Sequence, residues 1–267
     1  METKKFEIFI ETNELGYSMF YDTKKEISLN TILILDNLKQ IDAAKDYLVL
    51  SKFFNLDEKL IQITNDKINF LNIYSLFLNF RCELLYNMTL LYLFRTPLEQ
   101  NIHIRYIYLE IFRYIERFNK QENSKIEMLC ETYKVKNDHN MFCDSRKEFK
   151  KKYKLNKIED YRNWYSAHNH YDYHEYYDNI AEIDPTDVIQ MCFRFIDCEN
   201  IFYEFLKSLN DSLKNHFTII SKMLDTLNIL PEEHLFSTLE TRKAELTDEK
   251  YEQIKVILNK IFQKMSL

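Results

Sequence analysis

Apolar positions recur at helical spacing along most of the chain and follow another rhythm only near its start. There Phe6, Ile8 and Ile10 alternate with Lys5, Glu7, Phe9 and Glu11, Asn13–Gly16 offers a turn, and the aromatic run Tyr17–Tyr21 follows. That pattern predicts a short β-hairpin within an N-terminal arm, residues 1–29. From Asn30 the period lengthens: Ile34, Leu38, Ile41 and Leu48 share one helical face, interrupted by Lys45. Ile68, Leu71, Leu78, Cys82, Leu85 and Leu91 mark a longer helix that is apolar on more than one face, which predicts a central position. Thr96-Pro97-Leu98-Glu99 reads as a capping box with proline at the first helical position. Ile104, Tyr108, Ile111, Ile115 and Phe118 form the stripe of the helix it starts. A fourth helix is expected over residues 122–134, with a break at Asn137–Asn140.

Further on, Asp184-Pro185-Thr186-Asp187 is a second start signal, with Asp184 as N-cap and Asp187 an acid in the first turn. Val188, Cys192, Phe195, Phe202, Phe205 and Leu209 give a buried stripe to about Asn210, continuing through Phe217, Ile220 and Leu224. Pro231 opens a linker, and Thr247 caps a final helix built on Ile254, Ile257, Leu258 and Ile261. The expected organisation is a helical bundle over residues 30–228 and a C-terminal helical extension over 229–267. Composition points the same way. One glycine and three prolines in 267 residues leave too little turn chemistry for a sandwich or barrel, so the fold class is all-α.

A hydrophobic content of 46% with 29% charged residues excludes a disordered chain and a membrane-like bulk composition. The longest apolar stretch, Ile73–Phe94, is broken by Arg81 and Glu83, and the opening METKKFEIF has no signal-peptide core. These features predict a cytoplasmic protein without a membrane partner. Cys82, Cys130, Cys143, Cys192 and Cys198 are odd in number and lack CxxC spacing, as buried free thiols do. The net charge of −6 argues against general coating of nucleic acid and leaves room for a local basic site.

Chemistry concentrates in residues 161–177, YRNWYSAHNHYDYHEYY. They hold three of the seven histidines, the single tryptophan and six of the nineteen tyrosines, with almost no aliphatic side chain. Arg162, Asn163 and His168 supply a cation, an amide and a titratable imidazole, the groups that phosphodiester chemistry uses. Directly upstream, residues 146–157 carry Arg146, Lys147, Lys150, Lys151, Lys152, Lys154 and Lys157 against Glu148 alone. This run reads either as a contact to an RNA backbone or as a solvated helix face or mobile loop. Tyr165, the other tyrosines and Trp164 could stack on bases or seal an interface, packing being the commoner role. His170 and His174, with Asp172 and Glu175, have metal-ligand spacing but no third ligand fixed by it. Residues six apart in a continuous helix differ by roughly 120° around the axis and about 9 Å along it. Arg162 and His168 therefore require a helix end between them or a meeting across a two-fold interface. The third option puts His170, at i+8 from Arg162, in the role of the imidazole.

Arg162-Asn163-Trp164-Tyr165-Ser166-Ala167-His168 resembles the motif of the HEPN superfamily: arginine, a polar residue often asparagine, variable positions, then histidine. The resemblance covers residues 66–213, and the motif precedes a long helix as it does in that family. It implies an all-α HEPN-type bundle and a metal-independent endoribonuclease of toxin–antitoxin or abortive-infection type. It implies His168 as general acid or base, Arg162 as the stabiliser of the phosphorane charge and Asn163 as the residue orienting them. A composite site in a homodimer, an RNA substrate contacted by Lys150, Lys151, Lys152, Lys154, Tyr165 and His170, an antitoxin protein partner, and no metal or cofactor complete that expectation. Where some members carry a tyrosine two residues after the histidine, a target of nucleotidylation, this chain has His170. The alternative is a catalytically inactive HEPN-like fold serving as a helical binding or adaptor module.

Overall fold

The computed structural model describes residues 13–55, 58–93, 96–153, 183–229 and 232–265, and among these there is no β-strand. The α-helices are α1 (Asn13–Phe53), α2 (Glu58–Leu93), α3 (Pro97–Glu116), α4 (Asn123–Tyr133), α5 (Lys136–Lys152), α6 (Pro185–Ile229), α7 (Glu232–Thr241) and α8 (Asp248–Met265). The fold is all-α, as the apolar periodicity predicts. Asn13–Gly16 and Tyr17–Tyr21, expected as the turn and second strand of a hairpin, lie within α1. Phe6–Ile10, the expected first strand, lies outside the described residues. A glycine costs a helix only about 1 kcal/mol against alanine, which a helix of 41 residues absorbs.

Both start signals operate. Thr96 is the N-cap of α3, its side chain accepting from the Glu99 N–H, with Pro97 at the first position. Asp184 Oδ1 accepts from the Thr186 N–H at 2.8 Å ahead of Pro185. At the start of α8 the Thr247 hydroxyl oxygen accepts from the Lys250 N–H at 3.3 Å. Two expectations are corrected. The break placed at Asn137–Asn140 falls earlier, where Lys134 takes the left-handed conformation (φ 60°) that ends α4. Residues 137–140 stay helical because His139, Phe142, Arg146 and Phe149 are the buried stripe of α5. The linker expected from Pro231 is instead α7, whose Leu235 and Leu239 are buried.

The chain forms two compact units, residues 1–37 with 73–209, and residues 38–72 with 210–267. The core of the first is a cluster of aromatic rings. Phe202 meets Phe142 at 4.3 Å and Phe195 meets Phe149 at 4.9 Å between ring centroids, so α5 and α6 run antiparallel. Phe77 and Phe80 of α2 meet the same two α6 rings at 5.5 and 5.6 Å. Tyr114 and Phe118 close the cluster from α3 and the π-helical turn Arg117–Gln121 behind it. That turn is held by Glu122, a buried carboxylate bridged to Arg117 at 2.9 Å and Lys125 at 2.8 Å.

In the second unit Leu50 and Phe53 of α1 pack with Leu235 and Leu239 of α7 and Tyr251, Ile254, Ile257 and Leu258 of α8. Arg242 stacks over Phe53 at 4.7 Å and donates to its carbonyl, satisfying an acceptor that the end of α1 leaves open.

Candidate functional site

α5 ends at Lys152 and α6 begins at Pro185. Because the two helices are antiparallel, with Phe149 against Phe195, these ends lie at the same end of the first unit. Residues 154–182 connect them. Lys150, Lys151 and Lys152 fill the last turn of α5, where the carbonyl end of the helix dipole favours cations. Lys151 and Lys152 are exposed, and Lys152 Nζ lies 5.5 Å from the ring of Tyr153. Lys150 is half-buried, and burial followed by the charge of Arg146 lowers its pKa. Lys147 is engaged with Asp144 at 3.0 Å.

Arg146 does not belong to the exposed basic run. It is 7% exposed, its guanidinium lies 4.7 Å from the Phe142 ring, and it faces the interior of the unit. There it helps to form a polar core that periodicity alone did not predict. Glu199 of α6 is 1% exposed, and neither carboxyl oxygen has a hydrogen bond to the described residues. The Tyr114 hydroxyl, also buried, stands beside Glu199 without completing a well-formed hydrogen bond. Arg81 extends the network, donating to Glu26 and, at 2.8 Å, to Asn200 Oδ1. Burial dominates here. It raises the Glu199 pKa to about 8 against the opposing pull of Tyr114, Arg146 and Arg81, and it raises the Tyr114 phenol as well.

Glu199 therefore couples protonation to stability. The unfolded chain gives up this proton near 4.5, whereas the folded chain keeps it up to about 8. The stability it contributes is full at low pH and is lost as pH rises from about 4.5 through 8. Glu110 acts in the same direction. Urea unfolding at pH 5.5 and 8.5 is expected to show weaker folding at the higher pH, by a few kcal/mol on the order-of-magnitude scale of such linkage. Glu199→Gln is expected to flatten most of that difference and to raise stability at pH 8.5. An unchanged pH dependence in the variant would remove the role assigned to Glu199.

Of the residues singled out in the sequence, Lys150, Lys151 and Lys152 are placed on the last turn of α5. Lys154, Arg162, Asn163, Tyr165, His168 and His170 lie outside the described residues, as does the His170/His174 metal spacing. Comparison with protein-family models, with curated proteins and with solved structures gives no match. Among the described residues no group of three or more His, Cys, Asp or Glu side chains is arranged to hold a metal ion. No described helix is long and apolar enough to cross a membrane. Burial is the first cause raising all five cysteine thiols, to about 12 for Cys130 and about 11 for Cys198, which keeps them protonated and poor nucleophiles. His139 is a core imidazole, 5.5 Å from the Phe205 ring, with its pKa lowered by burial and then by Arg146.

Proposed function

We propose that the chain is a metal-independent endoribonuclease of HEPN type, acting as a toxin or phage-defence effector. What carries the reading is the segment that holds Arg162-Asn163 and His168. It follows a helix whose last turn bears three lysines, it precedes the 45-residue helix α6, and the described residues around it are all-α. In this reading His168 takes the proton of an RNA 2′-hydroxyl or gives one to the leaving 5′-oxygen. Attack of the 2′-oxygen on phosphorus breaks the P–O5′ bond and leaves a 2′,3′-cyclic phosphate and a 5′-hydroxyl. Arg162 neutralises the charge that develops on the phosphorane oxygens, and Asn163 orients the pair. Lys151 and Lys152, with Lys154 beyond them, hold the backbone by charge, so binding weakens as salt rises. Two copies contribute facing motifs to one composite site.

Purified protein incubated with RNA in excess chelator is expected to cleave it and to leave cyclic phosphate ends, and light scattering to return the mass of a dimer. Abolition by chelator would point to the His170/His174 spacing instead. Absence of cleavage of any RNA would favour the binding or adaptor module.

A further inference from the structure

A groove on the first unit lies between α2 and the C-terminal half of α3 with its π-helical turn. Its volume is about 370 Å³, within the range of small-molecule sites. Phe80, Tyr114 and Phe118 supply an apolar floor, and Glu83 and Glu110 a polar wall. Glu110 is 9% exposed. On one side it accepts from Arg113 Nη1 at 3.0 Å, but the Arg113 side chain is 64% exposed and its charge is screened by solvent. On the other side it meets the carboxyl of Glu83, an exposed residue steadied by the Asn79 amide, which donates to Glu83 Oε1 at 2.9 Å. Burial first, then the hydrogen bond and charge of Glu83, raise the Glu110 pKa to about 7, so near neutrality the pair holds one proton between them.

For stability alone this is a poor arrangement, since a neutral side chain at either position would remove the repulsion. The cost is offset when a cation takes the place of the shared proton. The groove lining has three carboxyl groups, Glu83, Glu110 and Glu116, against the guanidinium groups of Arg113 and Arg117, so one excess negative charge appears when that proton leaves. A divalent metal ion is disfavoured by those two guanidinium groups, and no three His, Cys, Asp or Glu side chains among the described residues are arranged to hold one. A monocation with N–H donors can bond both carboxyls while its apolar body covers the rings, where the apolar area removed from water adds to binding.

We propose that this groove binds a small organic cation, an amine or guanidinium on an apolar body, with its charged head between Glu83 and Glu110 and its body over Phe80, Tyr114 and Phe118. The site is independent of the Arg162/His168 reading and stands or falls without it.

Titration calorimetry of the full chain with tyramine and with phenethylguanidine, each a monocation on an aromatic body, tests the assignment. Saturable binding of one equivalent per chain is expected for at least one of the two. Its affinity should tighten about ten-fold from pH 6 to pH 8, because the shared proton must leave as the cation enters. Heats measured in buffers of different ionisation enthalpy should report that proton. Glu83→Gln, a change at an exposed position, should weaken binding at pH 8 at least ten-fold while the melting temperature stays level or rises, since the repulsion with Glu110 is gone. Three outcomes each overturn the site: no binding of either probe at millimolar concentration, equal binding by Glu83→Gln, or affinity indifferent to pH.

Discussion

His168→Ala is expected to lower RNA cleavage by roughly 10²–10⁴-fold, the usual contribution of a positioned general acid or base. Arg162→Ala should cost about 10²–10³-fold, as removal of one donor to a developing oxyanion does. The two losses should not multiply in the double variant, because a proton transfer and a charge stabilisation that act on one transition state fail together. Lys151→Ala with Lys152→Ala should behave differently, weakening RNA binding and its salt dependence while sparing the rate at saturating RNA. Single-turnover cleavage in chelator, measured at matched helicity by circular dichroism, separates these cases. Full activity of His168→Ala would remove the imidazole role from that residue. A loss on His170→Ala instead would transfer it to the residue at i+8 from Arg162.

Legibility in the sequence followed the strength of local signals. Thr96-Pro97 and Asp184-Pro185 fix helix starts by backbone chemistry that acts within a few residues, and the structure has both helices where those signals put them. The alternation at Phe6–Ile10 led to a hairpin, yet its turn and aromatic run belong to a helix that also takes in Gly16. Asn137–Asn140 looked like a break because all four of its residues are polar, while the deciding fact was the 3-4-3 spacing of His139, Phe142, Arg146 and Phe149. That spacing also held the signal for the polar core. Arg146 falls on the buried stripe of α5, and Glu199 falls between Phe195 and Phe202 on that of α6. A charged residue on an apolar stripe is a request for a buried partner. Reading Arg146 as part of a charge run hid it. The pairing of Glu83 with Glu110 depends on how two helices pack and has no counterpart in local spacing.

Phe202→Ala is expected to destabilise the first unit by about 3–5 kcal/mol. Phe202 is fully buried, and its ring lies 5.5 Å from Phe77, 5.1 Å from Phe118, 4.3 Å from Phe142 and 5.6 Å from Phe205. It thereby joins α2, the π-helical turn, α5 and α6, and loss of the ring leaves a cavity that four rigid segments cannot collapse to fill. The urea midpoint should fall at nearly constant slope, the mark of lost stability without a change in the surface exposed. Phe193→Ala, on the same helix at 40% exposure, should cost less than about 1 kcal/mol. The contrast also bears on function. Phe142 and Phe149 hold α5 against α6 at the end from which residues 154–182 depart, so a weakened seam should lower RNA cleavage near the reduced melting temperature and leave it intact well below. A small effect of Phe202→Ala would mean that the α5–α6 pairing does not hold that end of the unit together.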